Sequence, residues 1–312
     1  MITLNTEKGL VRIESWDEIT ERPGFVSNLN SDTVELDAII GSYLFKDFVL
    51  CGLSSCHTLH GRGYLVTTKD GQETNIGKDC GKKHFSVDFV TMRNAYARDF
   101  QNKERREQLE ALQARIPSYL DAIKNIRAGS AGADSLYSLL QSLTTRGKGM
   151  PETLIEEISK MAKARNGRII RQRQATDLEI ENLEAMQGKE IKRPHYIAEE
   201  IGHLAGIPAL YPEHNLRELL VVDVAKGLER IQQLDIPSLR ESELRAHRKW
   251  ASDLDAKLNT VKQTVREAKT LLAQSNLSQL AELIKGKDEK YRFSKFLAQL
   301  KRRLEDEITL SA

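Results

Sequence analysis

Apolar and polar residues alternate with two different periods along this chain, and the change of period divides it. Near the N-terminus the period is two. Val34, Leu36, Ala38 and Ile40 are spaced by Glu35, Asp37 and Ile39, and Leu10, Val11 and Ile13 form a second short apolar run, so residues 1–50 read as strand-rich. Pro23-Gly24 and the stretch Asn28 to Asp32 supply turns. Tyr64 to Thr68 has strand propensity, Asp70-Gly71 is a hairpin signal, and Glu73 to Ile76 returns the chain to Gly77. A helix is then predicted to open around Cys80 to Phe85.

From Phe89 onward the spacing is helical. Leu109, Leu112, Ile116, Tyr119, Ile123 and Ile126 step by three and four, a heptad seam in which Pro117 predicts a kink or a new helix. Ala128 to Asp134 (AGSAGAD) reads as a linker, Leu136 to Leu143 as a short helix, and Pro151-Glu152 as a fresh helix start. Helices are also predicted at Ile197 to Ala205 and Leu216 to Leu234, separated by a loop with two prolines. The most regular stretch runs Leu244, His247, Ala251, Leu254, Leu258, Val261, Val265, Ala268, Leu272, long enough for a dimer seam. Phe293, Leu297, Leu300, Leu304 and Ile308 outline a last amphipathic helix, and an intramolecular hairpin between these two stretches is the first expectation.

Composition narrows this picture. The chain has 312 residues, 40% hydrophobic, 29% charged and 6% aromatic, which suits helices packed through aliphatic side chains. A formal net charge of +2 gives no global argument for a polyanionic partner. No apolar run approaches the ~20 residues of a membrane helix, and the N-terminus lacks an apolar signal core, so a cytoplasmic protein without membrane contact is expected. Three cysteines, an odd number, point to reduced thiols or a metal rather than a disulfide framework.

All three cysteines, Cys51, Cys56 and Cys80, fall within residues 51–85, together with His57, His60 and His84. Thiolate and imidazole suit tetrahedral zinc. Cys80 and His84 are one helical turn apart, on one face, at a helix start that favours thiolate. Cys51, Cys56, Cys80 and His84 are therefore the expected ligands of a structural zinc ion, with His60 the alternative to His84. Cys51 and Cys56 precede a hairpin and Cys80 enters a helix behind Asn75-Ile76-Gly77-Lys78-Asp79, and this run resembles the small treble-clef zinc modules of phage and plasmid proteins. It departs from their usual Cys-x-x-Cys by having four residues between Cys51 and Cys56. The resemblance implies a phage or mobile-element setting and covers about a tenth of the chain.

Two basic features bear on a partner. Lys82 and Lys83 would lie in the first turns of the helix behind the hairpin, where phosphate is favoured. Lys160, Lys163, Arg165, Arg168, Arg171 and Arg173 place six positive charges in fourteen residues without an acid, read as a basic helix that either contacts nucleic acid or pairs with flanking acids such as Glu156, Glu157, Glu179 and Glu181. His195, Glu199 and His203, at i, i+4 and i+8 of a predicted helix, are a lesser metal candidate. No phosphate loop, dinucleotide fingerprint or nucleophile elbow is present, and no general base accompanies the cysteines, which weighs toward binding rather than catalysis.

The expectation is an α+β chain: an acidic β-rich segment (1–50), with nine acidic against four basic residues; a treble-clef-like zinc module (51–88); a helical region with a kinked heptad seam and a basic helix (89–193); and a C-terminal helical, partly coiled-coil region (194–312). The expected function is nucleic-acid binding or association through zinc module and basic helix. The alternative is a protein-binding adaptor or inhibitor acting through its long helices, by partner contact or self-association, with zinc purely structural.

Overall fold

The computed structural model describes residues 1–305 and shows a mixed α and β protein with a β-rich N-terminal part and a long helical region. Ile308, assigned above to the last helix, lies outside the described residues. The chain divides into two compact units, residues 1–112 with 235–249, and residues 113–234 with 250 onward.

The first unit is built on a five-stranded antiparallel sheet in the order β2-β1-β3-β4-β5. The strands are β1 (Ile2–Thr6), β2 (Gly9–Ile13), β3 (Leu36–Leu50), β4 (Leu59–Thr68) and β5 (Glu73–Gly77), with a one-turn helix α1 (Asp17–Thr20) between β2 and β3. The Asp70-Gly71 signal forms the β4–β5 turn, where Gly71 adopts φ 84° and its N–H donates to the Thr68 carbonyl at 2.9 Å. Strand alternation sends successive side chains to opposite faces. Leu65 joins Ile2, Leu4, Ile19 and Tyr43 in one core cluster, while Val66 joins Leu36, Ile39, Ile76 and Phe89 in the other.

That second cluster is closed by α2 (Lys78–Arg127), whose stripe Phe85, Phe89, Met92, Tyr96 and Phe100 packs on the sheet. Tyr96 donates to Ser42 Oγ at 3.1 Å, and Lys103 donates to Asn5 Oδ1 at 2.6 Å and to the Thr6 carbonyl at 2.8 Å. The kink in α2 is not at Pro117, as expected, but at Ser86, with φ 49° and ψ −126°. The helix continues through Pro117, which is exposed, while its neighbour Ile116 and the next-turn Ile123 are buried. Their burial outweighs the missing N–H.

The second unit takes in α3 (Ala133–Thr144), α4 (Glu152–Ala164), β6 (Arg168–Gln174), α5 (Asp177–Gln187), β7 (Tyr196–His203) and a π-helical segment, Glu218–Ala225, that leads into α6 (Lys226–Gln232). Then come α7 (Glu241–Ser252), which belongs to the first unit as far as Lys249, and α8 (Leu254–Leu272), α9 (Gln274–Ser278) and α10 (Lys287–Glu305). The regular stretch from Leu244 to Leu272 is therefore two helices, divided at Asp253. Leu254, Leu258, Val261, Ala268 and Leu272 are buried within the second unit.

Two predicted helices are strands instead. The basic run begins on α4 but leaves it at Arg165, which takes the left-handed conformation (φ 51°) as its C-cap. Arg168 to Gln174 then form β6, paired antiparallel with β7, the stretch read as helical from Ile197 to Ala205. The reason is cross-strand chemistry: Arg171 faces Glu199 in the ladder, and each carboxylate of β7 meets an arginine of β6.

Candidate metal centre

Cys51 is the first residue after β3 and is buried; its N–H donates to the Thr58 carbonyl at 2.9 Å, drawing residues 51–58 into a tight loop. Inside the loop the N–H groups of Cys56 and His57 reach the Leu53 carbonyl, at 3.1 and 3.4 Å, and His57 takes φ 46°. Leu29 and Leu53 pair as an isolated bridge that ties the loop to the preceding segment. Gly52 donates to the Asn75 carbonyl at 2.8 Å, and a Cβ on it would lie 2.1 Å from Thr74 Oγ1, so only glycine lets the loop approach β5 this closely. Cys80 arrives from the other side, in the first turn of α2.

These constraints bring the three sulfurs within 4.8 Å of one another, with Cys56 Sγ and Cys80 Sγ 3.1 Å apart. Three thiolates around a zinc ion at ~2.3 Å bonds stand ~3.8 Å from each other, so the spacing fits a common ion. The electrostatics set the three thiols apart. Burial pushes the Cys51 thiol up, and burial together with the neighbouring Cys56 and Cys51 pushes Cys80 up to about 12. Burial also opposes ionisation of Cys56, but hydrogen bonds from the Thr58 hydroxyl and backbone, and from Cys80 and Cys51, bring it down to about 7. The surroundings thus favour ionisation of Cys56 over that of Cys51 and Cys80.

Of the expected ligands, the cluster contains Cys51, Cys56 and Cys80 but no imidazole. His84 lies one turn beyond Cys80, its Nδ1 3.2 Å from Ser31 Oγ, and Ser31 Oγ is 3.5 Å from Ser55 Oγ in the cysteine loop. His60 stacks on Tyr43, with Nδ1 2.9 Å from the Tyr43 hydroxyl. The Nε2 atoms of both histidines are buried without a hydrogen-bond partner. His57 is exposed. Ser31, Thr58 and Tyr43 were not singled out by sequence reasoning; Thr58 is a local neighbour of Cys56, two residues on, whereas only tertiary contacts bring Ser31 and Tyr43 to the histidines.

The basic residues fall into two groups. Lys82 and Lys83 are exposed on the opening turns of α2 and form no ion pair among the described residues. In the second unit Lys160 pairs with Glu157, Arg165 with Glu213, Arg168 with Glu200, Arg171 with Glu199 and Glu282, and Arg173 with Glu179 and Glu199. Lys163 is exposed and has no such partner among the described residues. The trio His195, Glu199 and His203 does not form a site. On a strand, residues four apart are ~13 Å from each other, and Glu199 is occupied by Arg171 and Arg173.

No described helix is long and apolar enough to cross a membrane. Compared with known protein families, with curated proteins and with solved structures, the chain matches none, and no relative supports the treble-clef resemblance of residues 51–85.

Proposed function

We propose that residues 51–85 are a metal-stapled binding module, with Cys51, Cys56 and Cys80 as thiolate ligands, and that its partner is a nucleic acid. The observation that carries the metal is the sulfur cluster, gathered from a loop and a helix start nearly thirty residues apart in sequence. Three soft thiolates with an imidazole nearby select zinc over magnesium or calcium. Bound there, zinc would hold loop and helix together and supply the charge that keeps all three sulfurs ionised. The treble-clef reading of the loop–hairpin–helix order belongs to this proposal, as does a phage or plasmid setting. For nucleic acid, Lys82 and Lys83 are the chosen backbone contacts, because no described carboxylate neutralises them and α2 begins beside them. Lys163 is the member of the second basic group that remains available.

A protein-adaptor reading is favoured by two observations: the arginines of β6 are taken up by carboxylates, and four large apolar residues, Leu44, Phe48, Leu50 and Leu59, are exposed together at the paired ends of β3 and β4. The test is fluorescence-anisotropy titration of single-stranded and duplex oligonucleotides at rising salt. Affinity that falls steeply with salt, and drops about tenfold in a Lys82→Ala/Lys83→Ala variant, supports the nucleic-acid reading. No binding at low salt would remove it and leave the adaptor.

A further inference from the structure

We infer that His84 completes the metal centre through Nε2, with Ser31 as the acceptor that fixes its tautomer, and that Tyr43 holds His60 out of the coordination shell. This rests on the metal reading above and decides between two histidines that spacing along the chain cannot separate.

The choice follows from where each imidazole carries its proton. Around His60 the orientation of Asn75 is set first: its Nδ2 lies 2.7 Å from the Leu50 carbonyl, which can only accept, so the amide nitrogen is there. The same Nδ2 donates to the Tyr43 hydroxyl at 3.2 Å. Tyr43 is buried, and its own proton then goes to the remaining neighbour, His60 Nδ1, at 2.9 Å. Nδ1 is an acceptor in this chain, so the His60 proton sits on Nε2, which like that of His84 is buried without a partner. A protonated Nε2 is a donor and cannot bind a metal. For His60 to ligate, the proton would have to move to Nδ1, leaving the buried Tyr43 hydroxyl with two donors pointed at it and no acceptor for its own hydrogen.

Around His84 nothing forces the proton onto Nε2. Ser31 Oγ lies between His84 Nδ1 and Ser55 Oγ, at 3.2 and 3.5 Å. Ser31 can accept from Nδ1–H and donate onward to Ser55, because neither hydroxyl is tied to a group that fixes its direction. The lone pair then rests on Nε2, buried and without a partner. Metal-bound histidines commonly donate their second N–H to such an outer acceptor, which fixes ring and tautomer together. Ser55 belongs to the cysteine loop and His84 to the turn of α2 that carries Cys80, so the relay spans the same two pieces of chain as the sulfurs. The break at Ser86 separates this opening turn, with His84 and Phe85, from the part of α2 that carries Phe89, Met92, Tyr96 and Phe100. With three sulfurs and one nitrogen the shell is closed, and the ion is structural, with no position for water.

The test is metal binding by the full-length chain, followed by zinc competition with a chromophoric chelator and by the absorption spectrum of the cobalt(II)-loaded protein. Wild type is expected to take one equivalent, with a tetrahedral three-sulfur, one-nitrogen cobalt spectrum. His84→Ala should weaken zinc by at least ~100-fold and Ser31→Ala by ~10-fold, whereas His60→Phe should change it less than ~3-fold. His84→Cys guards against a variant that merely misfolds: it should retain one equivalent and shift the cobalt spectrum to that of four sulfurs. The inference is overturned if His60→Phe, rather than His84→Ala, removes the nitrogen signature, or if His84→Ala leaves affinity and spectrum as they were. Failure of the metal reading itself looks different: wild type takes up no metal, and Cys80→Ser changes nothing.

Discussion

Cys56 is the most reactive of the three thiols by its surroundings. It is partly exposed, it is held at about 7 by Thr58 and its sulfur neighbours against the effect of burial, and Cys80 Sγ is 3.1 Å away. Cys51 is buried and pushed up, so it is the least available. A zinc ion would occupy the sulfur lone pairs and suppress thiol chemistry. After chelation, hydrogen peroxide should therefore oxidise Cys56 first to a sulfenic acid; the Cys80 sulfur then attacks the Cys56 sulfur, its hydroxyl leaves as water, and a Cys56–Cys80 disulfide remains. Peptide mapping by mass spectrometry checks this. A disulfide that includes Cys51, or equal oxidation with and without chelator, would contradict the assignment of Cys56 as the reacting thiol. The three sulfurs could be anticipated from sequence, since cysteine clustering beside an Asp-Gly hairpin constrains where the chain returns. Ser31 and Tyr43 could not, because each meets its histidine across more than fifteen residues of chain, with no periodic relation to it.

Among the elements, β6 shows why a basic run need not be a contact surface. A helix reading of Lys160 to Arg173 counts charges along one chain; the strand pairing adds the carboxylates of another, at a register that alternation within either segment does not reveal. Arg173 is shared between Glu199 of β7 and Glu179 of α5, and Glu179 also closes the capping box of α5 with Thr176. Hydrogen bonds from Arg173, then from the Thr176 backbone, lower Glu179 from 4.5 to about 2. Because the folded value lies below the unfolded one, the unfolded chain takes up the proton first as pH falls. The stabilisation from Glu179 is thus complete above its unfolded pKa and is lost as pH drops from about 4.5 toward about 2. Glu179→Gln should lower the unfolding midpoint in urea near neutral pH and flatten its fall across that acidic window. An unchanged pH profile would show that the network at the β6–α5 junction contributes nothing measurable, as exposed ion pairs often do. The helices, by contrast, were mostly legible, because α3, α4, α6, α8 and α10 each bury a face at helical spacing; the strands of the second sheet were not, since seven or eight residues give too few periods to separate two from 3.6.

For the whole molecule, the division into two units gives the metal a specific thermodynamic signature. All three sulfurs, His84 and Ser31 belong to the first unit, and no residue of the second is among the ligands argued for. The two tryptophans of the chain report the units separately. Trp16 sits in the first, edge-on to Phe25, Tyr43 and Phe45. Trp250 sits in the second, donating to Asp223 at 3.2 Å beside Lys257. A ligand that binds only the folded form stabilises it in proportion to the logarithm of its concentration over its dissociation constant, and the gain is confined to the cooperative unit that contains the site. In a Trp250→Phe variant, where Trp16 alone is read, chelation should lower the thermal midpoint by ten degrees or more, for a loss on the order of 2–3 kcal/mol in a domain near 100 residues. In Trp16→Phe, where Trp250 alone is read, the same chelator should shift the midpoint by no more than ~2 °C, within the response expected without a binding term. Equal shifts at both tryptophans would mean that the two units melt as one cooperative block. No shift at Trp16, with zinc shown to be present beforehand, would mean that the ion does not staple the fold and that the cysteine cluster serves some purpose other than stability.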